Sequence, residues 1–241
     1  FIGATPDILF LKDTDGDQKA DERRVIFTGI GDGVNRLNMP SLMNSVRWGH
    51  DNRIHGTASG TPGKVRVVGK PERGTVSFRR GDFSFDPRVL DFRLESGGAQ
   101  HGMDFDAAGR KFVCSNSHHI QQVMYERRYA RANPNFSPPS PLVDIPADGA
   151  SATVFRLSPD EAWRVIRTRW RVAKQVSGPV EGGGRPSGYF TAATGATIYD
   201  GHAWPRAFHG DAFIADAGRT IVASKQMVTA RLPTDPFTTP T

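Results

Sequence analysis

The chain has 241 residues, 37% of them apolar, with 26 Gly, 17 Pro, one cysteine and a formal charge of +6. That supports a core, but no apolar run approaches the roughly 18 residues of a membrane span, and such dense Gly and Pro punctuation excludes a helical bundle in favour of short strands and turns. Cys114 alone excludes an internal disulfide framework and an all-cysteine zinc site, and the positive charge, concentrated only over 164–174, lacks the aromatic-interleaved stripe of a nucleic-acid binder.

In chain order, Ile8–Leu11 and Arg24–Phe27 predict a hairpin closed by the polar segment Asp13–Asp21. A loop with Gly29, Gly31, Gly33 and Asn35 follows. Ser45–Trp48 and Ile54–Gly56 predict strand, tight turn, strand, and Lys64–Val68 and Thr75–Phe78 are further strands. Phe83–Phe85 and Leu90–Leu94 alternate with a period of two around Asp86-Pro87, the clearest hairpin. Met103–Asp106 turns through Ala107-Ala108-Gly109 into Arg110–Cys114, and Ile120–Val123 follows. Residues 133–150 read as a surface connection. Ser158-Pro159-Asp160-Glu161 matches a helix start, yet Ile166, Thr168, Trp170 and Val172 alternate with arginines, so one helical turn and then a strand is expected. Ala196–Tyr199 and Asp211–Ala215 are the last strands. Residues 1–232 form one all-β domain in this reading, and 233–241 an irregular tail. The turn acids Asp51 and Asp106, each between an aromatic strand and an Arg-led strand, lie 55 positions apart (51 to 106). Recurrence on that scale points to four-stranded propeller blades.

The sharpest chemical motif is Asp13-Thr14-Asp15-Gly16-Asp17-Gln18-Lys19-Ala20-Asp21. Side-chain oxygens at positions one, three, five and nine of such a loop converge on calcium, here Asp13, Asp15, Asp17 and Asp21. Gln18 stands at position six, where glycine makes the bend, and Arg24 at position twelve, where a bidentate glutamate is usual. A solvated acidic turn is the competing reading. His118 and His119, adjacent in a strand, would point to opposite faces. His50, His55, His202 and His209 read as surface residues at turns, Cys114 as a buried small residue, and Gly182–Gly184 as a flexible loop.

Several stretches together resemble one family: PDILFLK running into DTDGDQKAD, NSVRWGHDNRIHG (44–56), GMDFDAAGRKFVCSNSHHIQQV (102–123), FRLSPDEAWRVIRTRWRV (155–172), GPVEGGGRPSGYFTAATGATIYDG (178–201) and FHGDAFIAD (208–216). The chain is similar to the membrane-bound dehydrogenase domain, a relative of soluble glucose and sorbosone dehydrogenases. The resemblance implies an all-β fold, about three to four antiparallel four-stranded blades of a six-bladed β-propeller. It implies export to the periplasm or beyond with membrane association, a pyrroloquinoline quinone cofactor with calcium, a sugar or other alcohol as substrate, and a c-type haem domain as partner in longer members. The haem signature Cys-x-x-Cys-His is absent from this sequence, and Leu42–Arg47 stands where the quinone enzymes carry their catalytic His motif.

Innermost propeller strands run along the central channel, so residues at their entry ends gather at one mouth. On that geometry His101 is the candidate proton acceptor, Arg185 the anion or quinone-carboxylate partner, and Asn44 a hydrogen-bonding group. A structural role for His101 competes with this one. A second function is equally open at this stage: a non-catalytic propeller binding carbohydrate or protein within a larger multidomain protein.

Overall fold

The computed structural model describes residues 1–32, 42–155 and 159–216. The Gly33 and Asn35 positions, Ser158 and the 233–241 tail lie outside the described residues. Strand outweighs helix in the described chain, which folds into four antiparallel sheets, none of them closed.

The first sheet takes β1 (Ile2–Ala4), β2 (Asp7–Lys12) and β3 (Glu22–Ile30), the expected first hairpin, with Leu9 opposite Val25. The second takes β4 (Asn44–Trp48), β5 (Ile54–Thr57), β8 (Asp82–Phe85) and β9 (Phe92–Glu95), in that order. Between β5 and β8 the chain leaves that sheet. The hairpin β6 (Gly63–Val67) and β7 (Val76–Phe78) pairs with β3, Phe27 opposite Val67, and extends the first sheet to five strands. Strand β6 buries Gly63, Val65 and Val67 and exposes Lys64 and Arg66, as a one-sided strand requires. The third sheet is β10 (Met103–Phe105), β11 (Lys111–Val113), β12 (Gln121–Val123) and β13 (Leu142–Asp144) in order, and the fourth pairs β14 (Ala193–Ile198) with β15 (Ala212–Asp216).

Two expectations fail. The 133–150 segment is not wholly a connection, because β13 closes the third sheet with Val123 opposite Leu142. The strand expected over 166–172 is helix: after the short α1 (Arg127–Ala130), α2 runs Ala162–Val172. Period two misleads here, since Ile166 and Trp170, like Thr168 and Val172, are also four apart and stack along a helix. Glu161 starts it and pairs with Arg164 at 3.2 Å one turn on.

The core has two main parts. Ile8, Phe27, Ile30, Phe83 and Phe85, all fully buried, join the first and second sheets. Phe112, Cys114, Phe190, Ala193, Ile198 and Ile214 join the third and fourth. A small cluster of Ala99, Met103, Val113 and Val123 covers the other face of the third sheet.

Candidate functional site

The first strands of three sheets, β4, β10 and β14, lie against one another. Asp104 of β10, nearly buried, ties them: its carboxylate meets Arg47 of β4 at 3.3 Å and accepts the Ile198 N–H of β14 at 2.8 Å. Close approach is built in, because a Cβ at Gly102 would fall 2.6 Å from both Ala196 N and Cys114 Sγ. At the N-terminal ends of these strands the Asn44 amide donates to the Gln100 carbonyl at 2.8 Å and the Leu42 carbonyl at 2.9 Å. The His101 carbonyl accepts from Gly195 N–H (2.7 Å) and Thr194 Oγ1 (2.9 Å). Two of the three expected residues, Asn44 and His101, are thus brought to one place.

The His101 ring has no hydrogen bond among the described residues, and partial burial lowers its pKa, so it is neutral at pH 7 with a nitrogen lone pair free. Arg185 is placed elsewhere. It is exposed, and its guanidinium donates to the Gly182 carbonyl at 2.8 Å and Thr153 Oγ1 at 3.4 Å, beside the single 3₁₀ turn formed by Gly182–Gly184. The cation at these first strands is Arg47, its side chain 41% exposed. Its lone Arg in NSVRW carried no signal of this placement.

A second polar constellation joins the second and third sheets. Asp82 of β8 and Lys111 of β11, exposed 0% and 3%, pair at 2.6 Å. Asp82 also accepts the Gly98 N–H, and Lys111 donates to the Ser96 carbonyl. Gly97 sits at φ +137°, where a Cβ would overlap the Asp82 carboxylate, so only glycine fits. Arg53 bonds Ser84 and grips Asp91, and Ser84 in turn donates to Glu95 at 2.5 Å. Glu95 shares a hydrogen bond with Glu126, whose carboxyl accepts the Ser96 N–H. Burial and the neighbouring Glu95 push the Glu126 carboxyl up to about 7. These two acids, with His50, Asp51, His55 and Phe105, face a cavity of about 180 Å³. His55, expected at the surface, is buried at 5% exposure and pairs with Asp51 at 3.0 Å. Burial holds its imidazole pKa below the usual value despite that carboxylate. The two turn acids of the repeat have one job: Asp51 caps the Arg53 N–H and Asp106 the Ala108 and Arg110 N–H groups.

In the acidic loop, Asp13, Asp15 and Asp21 bring one carboxylate oxygen each within 4.8 Å of one another. Asp13 accepts the N–H groups of Gly16, Gln18 and Asp15, and Asp21 accepts the Thr14 N–H and hydroxyl. The Gly16 and Thr14 bonds foremost lower the Asp13 and Asp21 pKa values, respectively. Gln18 at φ +69° makes the left-handed bend that glycine makes elsewhere. Asp17 turns to Lys19, and Arg24 stays on β3 beside Glu22 and Phe10. Of the other sites, His118 pairs with Asp144 at 2.8 Å while His119 is buried against Phe190, and neither lies in a strand. Cys114 is fully buried and its thiol is pushed up to about 11.

The chain belongs to the family described as a domain of unknown function (DUF7133), the match covering residues 1–234. No curated protein and no solved structure shows a detectable match to it.

Proposed function

We propose that this chain is an arc of a β-propeller of the glucose/sorbosone dehydrogenase type, in which the inner strand ends bind a sugar or other alcohol and His101 takes the proton of the reacting hydroxyl. The observation that carries this reading is the half-buried His101 imidazole, without a hydrogen bond of its own among the described residues, beside the first strands β4, β10 and β14. The arc is supported by the second and third sheets, each of four strands in antiparallel sequence, and by the repeated acid-capped turn.

In this reading the residues divide the work. His101 Nδ1 or Nε2 accepts the hydroxyl proton, and lowering of its pKa by burial keeps the acceptor unprotonated at neutral pH. Asn44, held by two backbone carbonyls, fixes the Gln100–His101 junction. A quinone, when bound, would receive the hydride from the carbinol carbon, leaving a carbonyl product. Arg47, fixed by Asp104 yet two-fifths exposed, suits a carboxylate of such a group, and Arg185 suits one only if its loop delivers it. Calcium is proposed for the Asp13, Asp15 and Asp21 loop, on the convergence of their oxygens.

The test is quinone-dependent dye reduction by the full-length protein against a panel of sugars and alcohols. Turnover is expected, with His101→Gln lowering kcat by roughly 10²–10⁴ and leaving substrate binding in place. Substrate binding without turnover under any quinone loading would overturn the dehydrogenase reading and leave the carbohydrate-binding one.

A further inference from the structure

Helix α2 shows an apolar stripe to solvent. Trp163, Ile166 and Trp170, at i, i+3 and i+7, are exposed by 53%, 45% and 49%, and Val176 and Val180 continue the exposed apolar surface beyond its end. The residue this helix buries is Arg164, held by Glu161 and Thr191. Helical spacing sets Arg169 along one side of the stripe and Arg167 along the other, and Lys174 follows just beyond the helix end. From Ala162 to Val180 there is no acidic residue. Among the described residues no carboxylate forms an ion pair with Arg167, Arg169, Arg171 or Lys174; the Arg167 guanidinium lies over the Trp163 ring at 4.6 Å and Arg171 donates to the Pro179 carbonyl.

An apolar stripe this exposed, bordered by unneutralised cations, lacks both an apolar cover and counter-charges. One surface supplies both at the right depths: an anionic bilayer, whose acyl boundary takes indole and aliphatic side chains while its phosphates meet the flanking cations. Long Arg and Lys stems reach outward past the apolar stripe to the headgroups. No described helix is long and apolar enough to cross a membrane, so the fit is to the surface. We propose that α2 docks this protein onto an anionic lipid surface, with Trp163, Ile166 and Trp170 at the headgroup–acyl boundary and Arg167, Arg169 and Lys174 on lipid phosphates. This stands independently of the dehydrogenase reading, since no residue of α2 belongs to that site.

The test is cosedimentation and tryptophan emission of the protein with phosphatidylglycerol-containing vesicles and with pure phosphatidylcholine vesicles. Partitioning roughly tenfold stronger onto the anionic vesicles, with a blue shift of emission and weakening at high salt, is expected. Trp163→Ser with Trp170→Ser should lower it about tenfold, and Trp170→Ser alone, at an exposed side chain, should lower it without shifting the melting temperature. Arg169→Glu with Lys174→Glu should lower it on anionic vesicles alone. Absent binding, equal binding to both vesicle types, or unchanged binding by the tryptophan variant would overturn the proposal. So would a second copy of the chain shielding the two tryptophans in vesicle-free solution.

Discussion

Glu126 and the buried histidines pull stability in opposite directions along the pH scale. Glu126 has its pKa raised from 4.5 to about 7, so between those values the folded protein holds a proton the unfolded chain has lost. Its contribution is full below pH 4.5 and disappears as pH rises through 7. For His55, His101 and His119 burial lowers the pKa below 6.5, and their contribution is lost as pH falls below that value. Glu126→Gln, which keeps a hydrogen-bonding neutral side chain beside Glu95, should therefore raise the melting temperature at pH 8 and leave it nearly unchanged at pH 4.5. A variant equally shifted at both values would show that Glu126 does not carry the proton. The Asp82–Lys111 pair is buried at both partners. Lys111→Met leaves Asp82 buried without its cation and should cost about 3–5 kcal/mol in chemical denaturation. Adding Asp82→Asn should recover part of it, the sign that the loss lies in the stranded charge and not in packing.

The acidic hairpin between β2 and β3 can be tested as an element. Its carboxylates are already satisfied by the loop's own N–H groups, so calcium is expected to add affinity without being needed for the fold. With Arg24 at position twelve supplying no bidentate ligand, titration calorimetry should give a Kd on the order of 10⁻⁴–10⁻³ M. Asp13→Asn should remove the heat, whereas Asp17→Asn, which alters a side chain facing Lys19, should change it little. The convergence of Asp13, Asp15 and Asp21 was readable from spacing alone, and so were the hairpins, because a shared apolar core imposes period two on Phe83, Phe85, Phe92 and Leu94 and turn chemistry marks their ends. Elements that failed to read were those fixed by distant partners. The β6–β7 hairpin belongs to the first sheet by pairing with β3, which nothing local specifies, and α2 hides behind an alternation that suits helix and strand alike. At the site, Asn44 and His101 were legible from the ends of predicted strands. Glu95, Glu126 and Arg47 were not, since their meaning comes from what crosses to them from another sheet.

At the scale of the whole molecule the distribution of apolar contacts predicts how it comes apart. The first and second sheets share one aromatic core, and the third and fourth share another built around Phe112 and Phe190. What crosses between these halves is mostly polar: the Asp82–Lys111 pair, the Thr57 hydroxyl on the Ala99 carbonyl, the Arg47–Asp104 contact and the Asn44 amide on Gln100. Such bonds replace bonds to water and stabilise by modest net amounts while fixing register, so the two halves should separate energetically more easily than either core loosens within itself. The fourth sheet has only two described strands, too few to stand alone in water, and depends on the core it shares with Phe112 of β11, Cys114 and Ile120. Phe190 is 2% exposed and stacks on His119 with ring centroids 4.4 Å apart, so Phe190→Ala should open a cavity there at a cost of about 3–5 kcal/mol. Hydrogen exchange read peptide by peptide should then show protection falling over β10–β15 while β2, β3, β5 and β8 keep theirs. Phe83→Ala, in the other core, should reverse the pattern. Equal loss across both halves in either variant would mean that the polar seam couples them into one cooperative unit.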